Sequence, residues 1–251
     1  MSGATMEIVG VDLSSQPEHT GLARLRADSG ELIVEDVIVG AGDGEVGAAI
    51  TAATRAGVDV PFGWPAPFVE FLHAHRADAL DPDLAVDPHW RRPLVWRATD
   101  QHVRTRTGMT PLSVATDKIA YPALRWAVLA ANLSAAGLDL TRDGTGRACE
   151  VYPAAALWIW GLPDRGYKGQ KGRGQRERIV AGLTAMAPFL RWNGYRSVCL
   201  EHDDGLDAVL SALIAAQVVA GRYEPPPPQA RRRVAVEGWI CLPVGPPVVP
   251  G

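Results

Sequence analysis

The sequence predicts an α/β fold built on a mixed sheet. Three observations carry that prediction. Three short apolar or alternating runs joined by turns fill the first forty residues. A helical stretch then feeds a fourth apolar run. After a long helical excursion, one further strand pattern is followed by helices, the last of them amphipathic.

Taken in order, residues 6–13 are apolar, β-branched and short, as a buried strand is. Residues 16–21 read as a turn. Gly21 to Arg26 alternates apolar and basic side chains, the mark of a half-buried second strand. Asp28-Ser29-Gly30 turns the chain into a third strand, Glu31 to Val39, completing an antiparallel meander. Gly42-Asp43-Gly44 breaks the chain before a helix over 45–55, with Val46, Ala49, Ile50 and Ala53 on one face and Gly57 as its stop. Val58 to Phe62 is the fourth strand. Because it leaves a helix, a crossover sets it parallel to the first.

Residues 66–146 are expected to form a helical insertion. Within it, Phe68 to Arg76 and Thr116 to Gly137 read as helices, the second with Pro122 in its first turns. Residues 78–96 read as irregular and Arg97 to Arg106 as a polar, basic piece. Arg147 to Tyr152 is a fifth strand stopped by Pro153, and Ala154 to Trp160 a short helix. Residues 161–178 hold a Gly-rich basic loop. Helices are expected over 176–190 and 204–220, then a stiff basic connector at 225–233, a strand-like piece at 234–243 and a loose tail from Pro246. The whole of 1–251 reads as a single domain.

Composition narrows the function classes. Hydrophobic residues at 47% suffice for a sizeable core. A net charge of −3 argues against a protein that coats nucleic acid, while leaving room for a local basic groove. Cys149, Cys199 and Cys241 are odd in number and far apart, without zinc spacing, as reduced thiols in the cytoplasm would be. No apolar run is long enough to span a bilayer, and no signal peptide is evident, so a cytoplasmic protein with no membrane partner is expected.

Chemistry is carried by acids at element ends. Asp12 closes the first strand and Asp59 lies in the fourth. Adjacent parallel strands bring both to one sheet edge, where open α/β sheets bind ligands. Asp204 and Asp207 share a helix face; Asp203 and Asp207, four apart, are the competing pair. Glu150 lies inside a buried strand and needs a metal or an Arg as partner. Such carboxylates repel one another unless protonated or bridged by a cation. Hard oxygen ligands suit Mg²⁺ or Mn²⁺, and paired ions of this kind drive phosphodiester hydrolysis. The plainer reading is that Asp12 is a turn former or helix cap, that Asp204 is the N-cap of its helix, and that Asp203 and Asp207 complement the helix dipole.

Arg165, Lys168, Lys171, Arg173, Arg176 and Arg178 crowd the Gly-rich loop, as a mobile phosphate clamp or an ordinary solvated loop would have it. Arg97, Arg104 and Arg106 form a second basic set, facing the same groove or pairing with Asp87 and Asp100. No Walker A loop is present. Of eight tryptophans, Trp64 is the candidate site-lining residue and the others read mostly as packing.

These motifs recur together in one family. Gly-Val-Asp12, Val-Asp59-Val-Pro-Phe-Gly-Trp-Pro, Arg97-x-x-Asp100, Glu150-Val-Tyr-Pro, Tyr167-Lys168, His202-Asp-Asp-x-x-Asp207-Ala and Glu237-Gly-Trp-Ile resemble the DUF429 family over about residues 6–243. Val60 departs from that family's usual Ala. The resemblance implies a ribonuclease H-like fold and a metal-dependent nuclease. On that reading Asp12 bridges the metal, Asp59 and Asp207 complete the metal set, and Glu150 and Asp204 are further catalytic acids or orienters. His202 moves protons or caps its helix. Lys168, Arg97 and Arg104 meet the substrate, and Mg²⁺ or Mn²⁺ is the cofactor. The expected partner is nucleic acid or another phosphoester. Two alternatives stay open. One is actin-like phosphotransfer or ATP hydrolysis, with Ser14, Ser15 and Thr20-Gly21 on the phosphate. The other is an inactive nucleic-acid-binding or scaffold protein.

Overall fold

Seven residues from Met6 to Asp12 begin the sheet, and the central four, Ile8 to Val11, are buried because layers pack above and below them. The computed structural model describes residues 5–81 and 88–250. Strand β1 (Met6–Asp12) pairs antiparallel with β2 (Gly21–Asp28), which pairs antiparallel with β3 (Glu31–Val39). Helix α1 (Asp43–Ala52) leads to β4 (Arg55–Asp59), which lies parallel to β1. The fourth strand therefore starts three residues before the expected Val58, and Asp59 is its last residue. The segment before β5 (Ala148–Glu150) carries α2 (Ala66–Arg76), α3 (Arg92–Val95), α4 (Ala98–Thr107) and α5 (Ala120–Ala135). The expected pairing partner Asp87 lies outside the described residues.

After β5 come α6 (Pro153–Ile159) and α7 (Arg173–Met186), then β6 (Leu190–Arg191). Helices α8 (Arg196–Glu201), α9 (Asp203–Val219) and α10 (Arg231–Glu237) follow. The six strands lie in the order β5-β4-β1-β2-β3-β6. Strand β6 replaces the end of the helix expected over 176–190; two residues are too few for a period to show. Residues 231–237 form a helix where a connector and strand were expected. What remains strand-like is a bridge from Ile240 to Glu150 and one from Tyr223 to Pro243. The tail is not loose: the Gly245 carbonyl accepts hydrogen bonds from Trp160 Nε1 and Gln217 Nε2, and Pro247 and Pro250 are buried.

Side chains alternate across β1 as the pleat requires. Val9 and Val11 pack toward α1 and α5 with Ile50, Trp126 and Leu129. Ile8 joins the opposite core with Leu206, Val209 and Leu213 of α9. Helix α9 is buried from Gly205 to Val218, more completely than a one-sided amphipathic helix. It lies directly on a row of sheet glycines. A Cβ on Gly10 would stand 1.9 Å from the Ala208 carbonyl oxygen, one on Gly57 2.3 Å from that of Ser211, and one on Gly21 2.0 Å from that of Asp204. These three glycines set the height of α9 above the sheet. They also fix where its first turn meets the ends of β1 and β4. Among the described residues no helix is long and apolar enough to cross a membrane.

Candidate functional site

Asp12 and Asp59 end adjacent parallel strands and are register partners. Both open into a cleft of about 470 Å³. Its polar rim holds Ser14, Ser15, His19, Lys168 and Asp204. The facing wall is apolar, with Leu112, Ile119, Pro122 and Ile240. The loop after β1 is held by Arg125 of α5, which donates to the Ser14 carbonyl and to Thr20 Oγ1, both at 2.7 Å.

Helix α9 brings its first turn to the same place. Its two leading acids divide their work. Asp204 lines the cleft, with its carboxylate 4.0 Å from His19 Nδ1. Asp203 instead accepts a hydrogen bond from the Gly169 amide at 3.1 Å and so holds the neighbouring loop. Asp207, one turn on, is only 1% exposed and lies behind the cleft rather than on its lining. The Lys168 ammonium hydrogen-bonds Asp207 and lies 3.7 Å from Asp12 Oδ2. The Tyr167 hydroxyl donates to Asp207 Oδ1 at 3.1 Å.

The electrostatics follow from this crowding. Burial, with the charges of Asp207, Asp59 and Asp204, holds the Asp12 carboxyl well above the usual carboxylate range. Burial and the charge of Asp207 push Asp59 up to about 8. Asp207 is also raised by burial, against the pull of Lys168. Burial alone would lower the Lys168 ammonium, but the charges of Asp207 and Asp12 outweigh it and hold it above its ordinary value.

Other expected site residues have different duties. Glu150 is 2% exposed and accepts from Arg97 through both oxygens and from the Phe62 amide at 2.9 Å. Its partner is thus an arginine. Arg97 is equally buried, and its side-chain N–H groups are spent on Asp100, Glu150 and the Glu237 carbonyl. That leaves Arg97 no donor for a phosphate, which corrects its expected role in binding substrate. Arg104 stacks over Trp96 at 5.2 Å and does not line the cleft. Trp64 is partly buried against the core and is likewise not on the lining.

The basic loop is tied down rather than free. Arg176, 1% exposed, donates to the carbonyls of Tyr167 and Gly169 at 2.6 and 2.7 Å. From Arg173 onward the expected loop is helix α7. Thr20, fully buried, is used by Arg125 and the Gln16 carbonyl, and Gly21 lies under α9. This corrects the phosphate role considered for that pair. His202 starts α9 without a side-chain cap and is exposed. His19, which the sequence reading placed only in a turn, is the histidine on the cleft. Its signal was its position within a few residues of Asp12.

A family model described as "Protein of unknown function (DUF429)" matches residues 10–232, most of the chain, including Asp12, Asp59, Lys168 and Asp204. The chain belongs to the DUF429 family. No curated protein and no solved structure matches it. Within this DUF429 chain, the Tyr167-Lys168 pair lies inside the matched residues and Glu237 just beyond them, and the structure assigns the duties of both. Glu237, fully buried, accepts from the Ala66 and Ala98 amides and from Arg233, and so anchors the helical insertion.

Among the described residues, no group of three or more His, Cys, Asp or Glu side chains is arranged to hold a metal ion. The third carboxylate, Asp207, is engaged by Lys168 and Tyr167. Asp12 and Asp59 remain at the cleft, and no donor among the described residues hydrogen-bonds either carboxylate. Two carboxylates facing a wet cleft fit a small hard cation, which keeps several waters and takes one or two carboxylates plus substrate oxygens.

Proposed function

We propose that this protein is a divalent-cation-dependent hydrolase of phosphodiester bonds in nucleic acid, built on a ribonuclease H-like core. The order β3-β2-β1-β4-β5, with β2 alone running against its neighbours, supports the core assignment. The observation that carries the function is the paired register of Asp12 and Asp59 at the cleft floor, with neither carboxylate hydrogen-bonded by a donor among the described residues.

Asp12 and Asp59 would hold Mg²⁺ or Mn²⁺. When bound, such an ion stabilises charge on phosphoryl oxygens and makes a water more acidic. The remaining work falls to the chain. Lys168 sets a positive charge beside Asp12, where negative charge on a phosphoryl group would build up. Ser14 and Ser15 offer hydroxyls at the rim. The apolar wall of Leu112, Ile119, Pro122 and Ile240 is suited to the face of a base or sugar and excludes bulk water from that side.

Asp12→Asn and Asp59→Asn are each expected to lower Mn²⁺-dependent cleavage of nucleic acid by about 10²-fold or more. EDTA should abolish cleavage and excess Mn²⁺ restore it. Cleavage at the wild-type rate in both variants would overturn the proposal.

A further inference from the structure

Lys168 has features that phosphate binding does not explain. Its ammonium is already engaged, hydrogen-bonded to a carboxylate that is 1% exposed and close to a second. Its backbone is fixed from both sides. The carbonyls of Tyr167 and Gly169 are held by the buried Arg176, and the Gly169 amide by Asp203. Gly172 packs so closely that a Cβ there would lie 2.2 Å from the Tyr167 carbonyl oxygen. A surface lysine that merely attracts phosphate needs none of this scaffolding.

The charge sits where it changes the site's capacity. Asp207 is blocked on both oxygens, by the Tyr167 hydroxyl and by Lys168, and it does not reach the cleft lining. Without the lysine, Asp12 and Asp207 would be neighbouring carboxylates that repel each other, with only the Tyr167 hydroxyl donating to Asp207. That arrangement calls for a cation. A dication placed in that same gap would meet like-charge repulsion from the ammonium at short range.

We infer that Lys168 is a built-in stand-in for a second metal ion: the site takes one divalent cation, at Asp12 and Asp59, and the ammonium fills the place between Asp12 and Asp207. This rests on the hydrolase reading and specifies its metal content. Unlike a bound ion, the ammonium does not leave with a chelator, so Asp207 stays neutralised whether or not the cleft is loaded.

The test is the number of Mn²⁺ ions bound by the full chain, counted by calorimetric titration with MnCl₂ and by the loss of the free-ion spin-resonance signal. The wild type should bind one. Lys168→Ala, which uncovers Asp207 Oδ2, should bind two, and Lys168→Arg should return to one. The paired variant Lys168→Met with Asp207→Asn removes both charges together, guards against a folding defect, and should bind one. Two ions in the wild type, or a single ion in folded Lys168→Ala, would overturn the lysine's role and leave the hydrolase reading standing. No ion in the wild type would instead remove the hydrolase reading itself. Should Lys168→Ala not fold, the wild-type count decides: one supports the inference and two overturns it.

Discussion

Two clusters of charged groups among the described residues are finished to different degrees. In the first, Arg97 places its five side-chain N–H groups on five acceptors: two oxygens of Asp100, two of Glu150 and the Glu237 carbonyl. Glu150 takes a further bond from the Phe62 amide, and Glu237 is filled by two amides and Arg233. In the second, Asp12, Asp59, Asp204 and Asp207 face one lysine. Asp207 is satisfied, but Asp59 receives no hydrogen bond from the described residues and Asp12 only a 3.7 Å ion pair. The saturated cluster joins β5, α4 and α10 and works as a strut. The unsaturated one leaves two acids, Asp12 and Asp59, without a hydrogen-bond donor among the described residues at the floor of a cleft. Burial of charge alone does not distinguish scaffold from site; the count of unmet acceptors does.

The comparison breaks most sharply at Arg97. Arg97→Met strands Asp100 and Glu150 in the core, and we expect a loss of about 3–5 kcal/mol in urea unfolding. A loss under about 1 kcal/mol would mean that the strut is not a strut. Next in size is the platform beneath the cleft. Gly10→Ala forces α9 off the sheet, with an expected cost of about 1–3 kcal/mol and impaired cleavage even though no cleft residue is altered. Wild-type Tm and rate in this variant would show that the height of α9 does not matter.

The smallest effect has the opposite sign. With EDTA present, folded Asp59 keeps its proton up to about pH 8, whereas in the unfolded chain it loses it near pH 4. Ionisation between those values therefore favours unfolding, and stability falls as pH rises through that window. Asp59→Asn removes the penalty. It should raise stability at pH 8 by at least ~1 kcal/mol and flatten the pH profile between about 4 and 8. A variant less stable than wild type at pH 8 would place Asp59 with the strut rather than the site. The same substitution at the strut, Glu150→Gln, should destabilise, since it discards a charge that Arg97 requires.

Much of the frame was legible in the residues. Strands β1 to β3, the crossover to β4 and helix α9 all announced themselves through period, turn chemistry and length. The strand-end position of Asp12 followed from the same pattern. Residues 231–237 misled because Pro and Arg flank an apolar stretch too short to show a helical period. That Glu150 needs a partner follows from its buried strand, but the choice between a metal and an arginine stays open in the sequence because Arg97 lies 53 residues away. Arg104 and Trp64 looked available only because their packing partners were out of view.

By itself the sequence determined the β1–β3 meander, the strand-end place of Asp12 and the span of α9, since these follow from local periods of about 2 and 3.6. It could not determine which acids meet or which are already neutralised. Those outcomes depend on α9 settling onto Gly10, Gly21 and Gly57, and on Arg176 and Asp203 holding the loop that carries Lys168. The physical reason is distance along the chain. Hydrogen bonds and ion pairs act over a few ångströms, and the groups that satisfy or deprive these carboxylates are brought together only by the tertiary fold.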